Sequence, residues 1–190
     1  MLCTPSAHPQ RTGDSVTELV PARPAVTVAM IVERDGRFLV VEEETRAGVR
    51  LNQPAGHLEP GETLPAAAER ETLEETGWRV AANALVGVYR WEAPESGAAF
   101  VRFSFAGAAQ AHDPARPLDR GIVRALWLTY EEIAARRAIH RSPLVLRCLD
   151  DYRAGTRWPL DFVQDVGAGP PQGARPPWGE RRAATLGGGR

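Results

Sequence analysis

Residues Gly56–Trp78 read GHLEPGETLPAAAERETLEETGW, and this stretch decides both the fold and the chemistry. Together with Asn52–Ala55 its first part is dense in turn formers, with proline at 54 and 60 and glycine at 56 and 61. That composition predicts a constrained loop rather than a strand or a helix. Thr63–Thr76 then reads as a helix. Glu62 or Thr63 starts it, Pro65 is tolerated in the first turn and Gly77 ends it. At about 100° per residue, Glu71, Glu74 and Glu75 project from the side that carries Leu64, Ala67 and Ala68. A solvated acidic face would lie opposite the apolar stripe; here the acids continue it. Glu71 and Glu75, four residues apart, repel by about 0.2–0.5 kcal/mol even on an exposed helix. Burial and the negative helix C-terminus add to that cost. A cation must compensate. A hard ion, Mg²⁺ or Mn²⁺, suits clustered oxygen ligands with no Cys and little His. Arginines from other elements are the other solution.

Outward from this helix the pattern is that of an α/β domain. Ala25–Glu33 is apolar at most positions, as in a strand buried on both faces. Arg34-Asp35-Gly36 supplies a hairpin turn, and Phe38–Glu43 returns as the second strand. A loop through Arg46–Arg50 leads into the turn-rich segment. Beyond the helix, Leu85–Trp91 and Phe100–Gly107 read as strands around a Glu95-Ser96-Gly97 turn. Gly121–Leu128 reads as another strand, and Tyr130–Arg137 and Pro143–Arg153 read as helices, with Ser142 as the N-cap of the last. The order is β-β-loop-α-β-β-β-α-α, with no internal repeat. Residues 1–23 and 165–190 lack any packing period and are expected to be disordered tails, with Trp178 as a residue that could dock. The domain is expected over 24–164.

Composition removes several function classes. The chain has 190 residues and a formal net charge of −1, from 23 basic and 24 acidic residues. It lacks the positive excess of a protein for nucleic-acid polymers or membrane surfaces. Every basic residue is arginine, so lysine-dependent P-loop chemistry is excluded. No apolar run reaches the length of a membrane span, and the first residues carry no apolar signal region. Cys3 and Cys148 are too far apart in sequence to suggest a C-x-x-C site. A cytoplasmic location is the default expectation.

Gly56, Glu62, Arg70-Glu71, Glu74-Glu75 and Gly77, at these spacings, resemble the signature of Nudix hydrolases. Thr72 and Trp78 stand where aliphatic residues are usual. The likeness extends over about residues 24–163 through VTVAMIVERDGRFLVVEEE, LNQPAGHLEPGETL, YRWEAP, RFSFAG and RSPLVLRCLDDYRAGTRWPL, which look like the NudJ group of phosphatases in that family. The resemblance implies an α/β/α sandwich around a mixed sheet. It also implies Mg²⁺-dependent hydrolysis (Mn²⁺ as a substitute) of hydroxymethylpyrimidine pyrophosphate, thiamine pyrophosphate or nucleoside di- and triphosphates, with release of inorganic phosphate. Glu71, Glu74 and Glu75 would then hold metal, with the Ala55 carbonyl as a further ligand. Glu71 would accept the proton of the attacking water, and Glu62 and Arg70 would tie loop to helix. Asp119 is the candidate for an extra remote acid. A general pyrophosphohydrolase and a noncatalytic nucleotide sensor are the competing readings; the intact glutamates argue against the sensor.

Substrate contacts are read from the residues around this motif. Asn52 and Gln53 either meet a base edge or bond their own loop. Tyr89 and Trp91 share one parity of their strand and either stack on a ring or fill the core. Arg102, in an otherwise apolar strand, either meets a phosphate or lies on the surface. His57 reads as a hydrogen-bonding loop residue. The partner expected is a small phosphorylated molecule, and the protein a monomer or homodimer.

Overall fold

The computed structural model describes residues 23–166. The two expected tails, and Trp178, lie outside the described residues except for Arg23, Asp165 and Val166. The strands are β1 (Ala25–Arg34), β2 (Arg37–Thr45), β3 (Gly48–Asn52), β4 (Ala55–His57), β5 (Trp78–Glu92), β6 (Ala99–His112) and β7 (Ile122–Thr129). The α-helices are α1 (Leu64–Thr76), α2 (Tyr130–Ala135) and α3 (Leu144–Arg153). All seven strands belong to one mixed sheet, in the order β3-β2-β1-β6-β5, with β4 paired to β1 and β7 to β2. The β1–β6 pair is parallel and the others are antiparallel.

The apolar run in β1 follows from burial on both faces. Val28, Met30 and Val32 pack with Leu64, Ala67 and Ala68 of α1. Ile31 points the other way, into a cluster with Ile133 of α2 and Val145, Cys148 and Leu149 of α3. The same alternation sends Phe105 of β6 to the α1 side and Ala106 to the α3 side. Two helical layers therefore enclose the sheet, the α/β/α sandwich that the sequence implied.

Local signals placed the central elements well. Asp35 and Gly36 take φ values of 54° and 73° in the β1–β2 turn, the left-handed pair that a tight hairpin needs. The Thr63 side chain accepts from Ala66 N–H at the start of α1, and Gly77 closes it at φ 71° with its N–H on Leu73 carbonyl. Thr72 is fully buried where an aliphatic side chain was expected, and its hydroxyl donates to Ala68 carbonyl at 2.6 Å. That bond within the helix satisfies the extra polar atom.

Elsewhere the sequence reading needs correction. The segment 46–57 is not all loop: β3 pairs with β2 and β4 pairs with β1. Pro54 separates the two strands, and its carbonyl accepts from Met30 N–H at 3.0 Å. β3 is the return strand of a tight hairpin with β2, and at β4 pairing with the remote β1 overrode the local turn formers. β5 and β6 also run further than expected, because Trp78–Ala84 pairs with Ala106–His112 through bulges that the small residues accommodate. The first helix of the C-terminal pair stops at Ala135 and continues as a 3₁₀ turn over Arg137–Ile139. Ser142 sits just ahead of α3, its hydroxyl accepting from Leu144 N–H at 3.3 Å.

Candidate active site

Arg70 organises the acidic helix. Its Nε and Nη2 donate to the two oxygens of Glu62 at 3.0 and 2.7 Å, a paired-fork geometry. Its Nη1 donates to Glu71 Oε1 at 2.9 Å and to Glu74 Oε2 at 3.0 Å, and Nη2 also reaches the His57 carbonyl at 3.1 Å. Glu62 in turn accepts from Glu59 N–H at 2.7 Å. Partial burial works to raise the Glu62 carboxyl, but Arg70 and the Glu59 amide outweigh it and hold it below its ordinary value. The loop before α1 is thus pinned to the helix through Glu62 and Arg70.

Glu75 is compensated differently. It is 8% exposed, and among the described residues it has no arginine or histidine within ion-pair distance. Its Oε2 accepts from the Ala55 N–H on β4 at 2.9 Å. Burial pushes its carboxyl up to about 8, against the pull of that amide, and the charges of Glu71, Glu43 and Asp119 push the same way. Burial also raises Glu71, against the lowering effect of Arg70. Gly56 explains how α1 reaches over the edge strand: a Cβ there would overlap the Glu71 carboxylate. Asp119 stands beside this group, with its N–H donating to the Glu74 carbonyl at 3.0 Å.

Among the described residues, no three His, Cys, Asp or Glu side chains gather as ligands round one point. Arg70 draws Glu71 and Glu74, while Ala55 holds Glu75. The donor chemistry nonetheless fits a hard divalent ion, because all three side chains offer oxygen and Glu75 is buried near other acids with no cationic partner among the described residues.

A cavity of about 390 Å³ opens beside these acids, lined by Glu71, Glu75, Ala55 and Gly56 on one side. Thr27, Glu43, Asn52 and Arg102 line it as well, and Trp91 and Phe100 contribute apolar wall. The two rings stack at 5.6 Å between centroids. Arg102 is 8% exposed, so it is not a surface arginine. Its Nη1 donates to Asn52 Oδ1 at 3.4 Å, while Asn52 Nδ2 donates to Glu43 Oε1 at 3.2 Å.

The structure therefore gathers Glu71, Glu75, Ala55, Asn52, Trp91 and Arg102 around one space. Glu74 does not line it and stays with Arg70. Gln53 and Tyr89 are elsewhere. Gln53 is 1% exposed, its Nε2 donating to the Val145 carbonyl at 2.7 Å beneath α3. Tyr89 Oη donates to Asp151 Oδ2 at 2.9 Å on α3. Parity alone put Tyr89 with Trp91, but α3 covers the inner part of β5 and leaves only its end open. The residues missed from sequence include Thr27, Glu43, Phe100 and Arg141, all of which line the cavity. Thr27 had a signal: it is the one hydroxyl in the apolar run of β1.

Comparison with known proteins bears on the family and the fold. The family model for the NUDIX domain matches residues 21–148. The chain is 41% identical over 143 residues to phosphatase NudJ of Escherichia coli K12, covering 75% of this chain and 92% of that protein. A solved NUDIX hydrolase from Nitrosomonas europaea is 49% identical, with TM-score 0.74 over 76% of this chain and 98% of its own. The NUDIX domain of Shewanella oneidensis NrtR, solved with ADP ribose, is 12% identical with TM-score 0.57 over 70% of this chain and 88% of its own, a likeness of fold alone.

Proposed function

The chain belongs to the Nudix family and is a Nudix hydrolase, and on that premise we propose that it hydrolyses phosphoanhydride bonds of small organic diphosphates and nucleotides with a divalent metal, Mg²⁺ or Mn²⁺. The observation that carries the reading is the meeting of Glu71 and Glu75 with the buried Arg102 around one cavity. Glu71, Glu74 and Glu75 would hold the metal, with Ala55 beside them. When bound, such an ion draws charge from phosphate oxygens and lowers the pKa of water. Glu71 is the group to take the proton of the attacking water, since burial already raises its proton affinity and its carboxylate faces the cavity over Gly56. Arg70 and Glu62 hold the acidic helix against its loop and touch no substrate. Asp119 adds negative charge beside Glu71 and Glu75 as a remote acid. Trp91 takes the organic ring, with Asn52 at its polar edge.

The identity to phosphatase NudJ favours terminal attack with release of inorganic phosphate. Hydroxymethylpyrimidine pyrophosphate, thiamine pyrophosphate and nucleoside di- and triphosphates are the substrates to compare, acted on by a cytoplasmic monomer or homodimer with no nucleic-acid polymer or membrane as partner. Among the described residues no helix is long and apolar enough to cross a membrane. Hydrolysis of that panel in ¹⁸O-labelled water, with separate detection of phosphate and pyrophosphate, tests the proposal. Label in released phosphate is the expected result. Pyrophosphate as first product from a triphosphate would replace terminal attack by a pyrophosphohydrolase mechanism, and no turnover with either metal would overturn the activity itself.

A further inference from the structure

We propose that Arg102 and Thr27 form an anion-binding floor that grips the substrate phosphate not under attack. The inference rests on the proposed hydrolysis of a diphosphate at this cavity and assigns the residues that position its second phosphate.

Arg102 is the starting point. The residue is 8% exposed, and no Asp or Glu among the described residues lies within 4.0 Å of its guanidinium to form an ion pair. Its one hydrogen bond is the long one to Asn52 Oδ1, and its buried Nε has no partner among the described residues. Burial pulls its pKa below the ordinary arginine value. A buried charge without a paired anion is costly, and nearly all buried polar atoms in folded proteins find partners. Glu43 stands close by, but its carboxylate is taken by Asn52 Nδ2 at 3.2 Å and Arg141 Nε at 3.4 Å.

Thr27 supplies the second, independent observation. Its Oγ1 is also buried without a partner among the described residues. Thr27 and Arg102 are register partners in the parallel β1–β6 pair, so their side chains leave adjacent strands on the same face. Both line the cavity that Glu71 and Glu75 line. Two buried groups without a partner among the described residues, the Thr27 hydroxyl and the Arg102 Nε–H, thus share one floor. The Arg102 fork matches the oxygens of a phosphate, which accept two parallel N–H bonds, and the Thr27 hydroxyl can donate to a third.

The division of labour follows from charge. The acidic side repels any phosphate that metal does not cover. A diphosphate has two phosphorus centres, and only one can sit over the acids. The floor offers the other what it lacks, buried N–H and O–H donors. A structural role for Arg102 would need bonds that join elements, and the single 3.4 Å contact to Asn52 is a weak one.

Calorimetric titration of the full chain in Mg²⁺ with methylenediphosphonate, a diphosphate that cannot be hydrolysed, tests the floor without relying on turnover. Arg102→Met is expected to lower affinity about 10- to 100-fold, the loss of a charge-assisted paired contact. Arg102→Lys should retain part of the affinity and Thr27→Val should lose about threefold to tenfold. The thermal midpoint of unliganded Arg102→Met should stay level or rise, since an unpaired buried charge has gone. Unchanged affinity in both Arg102→Met and Thr27→Val would overturn the proposal. So would midpoints that fall in all three variants together with affinity, the mark of a structural role. Should Arg102→Met not fold, the lysine and valine variants decide alone. Failure of the proposed activity reads out separately, as wild-type protein that binds the diphosphonate through Arg102 yet hydrolyses no member of the substrate panel.

Discussion

One wall of the cavity comes from a single stretch of chain, Ala55–Glu75, whereas the opposite floor is drawn from Thr27 on β1, Asn52 on β3 and Arg102 on β6. The acidic wall carries most of its own compensation. Arg70 lies between Glu62, Glu71 and Glu74 within one short segment. The floor has no such internal partner. Yet among the described residues each side leaves one buried ionisable group without an ion pair, Glu75 on the wall and Arg102 on the floor. A protein built only for stability would pair or remove both. The two groups ionise with opposite sign and face one space, which is the arrangement that a cation carrying a diphosphate would complete.

If the wall holds the proposed divalent cation, removing that ion should break it most severely. Protein stripped of metal and assayed in excess EDTA is expected to lose hydrolysis entirely, and added Mg²⁺ or Mn²⁺ should restore it. Full turnover under those conditions would end the metal mechanism. Glu71→Gln and Glu75→Gln should each lower kcat by about 10²–10⁴-fold, with the fold intact by circular dichroism. Near-normal kcat in either would contradict its role. Gly56→Ala comes next. The new methyl would meet the Glu71 carboxylate, so kcat should fall at least about tenfold as the base is displaced, while the thermal midpoint changes little.

This contrast also explains what was legible in the sequence. Gly56, Glu62, Arg70, Glu71, Glu74, Glu75 and Gly77 act through the geometry of one loop and one helix, which their spacing records. Helix period alone put the acids on the packed side, although it did not foresee that Arg70, from the same helix, would neutralise Glu71 and Glu74. The two-faced burial of β1 likewise shows in its unbroken apolar run. The floor depends on which strands become neighbours. Nothing near Thr27 says that β6 will lie beside it in parallel, or that Arg102 will be its partner. Gln53 and Tyr89 fail for the same reason: the docking of α3 decides that both are covered. β4 escaped notice because its three residues are held by pairing to β1 and not by any strand propensity of Ala-Gly-His.

A smaller effect acts on the wall through pH. Burial and neighbouring acids raise Glu75 to about 8 in the folded protein, far above its value in an unfolded chain. Between about pH 4.5 and 8 the folded state therefore binds more protons than the unfolded state, and its stability declines as pH rises. The midpoint of metal-free protein should drop by on the order of 5–10 °C from pH 5 to pH 8 in excess of the other groups' contribution. Glu75→Gln should flatten that slope, and Mg²⁺ should stabilise the wild type more at pH 8 than at pH 5. Equal slopes for wild type and Glu75→Gln would show that the carboxyl is not the group responsible.

The smallest expected effect concerns two aromatics of the same strand parity. Trp91 lines the cavity and stacks on Phe100, whereas Tyr89 is turned under α3 with its hydroxyl on Asp151. Tyr89→Phe removes one hydrogen bond and no cavity wall. It should cost about 1 kcal/mol of stability and leave KM and kcat as they are. Asp151 keeps its bond from Arg147 Nε at 2.9 Å, so the loss should not spread. Trp91→Ala, by contrast, should raise KM severalfold for a substrate with an aromatic ring, because stacking contributes about 1 kcal/mol or more. The same variant should leave the affinity for methylenediphosphonate nearly level, since that ligand has no ring to stack. A KM change in Tyr89→Phe as large as in Trp91→Ala would mean that the substrate reaches beneath α3, and that the cavity ends deeper in the sheet than the Trp91–Phe100 pair.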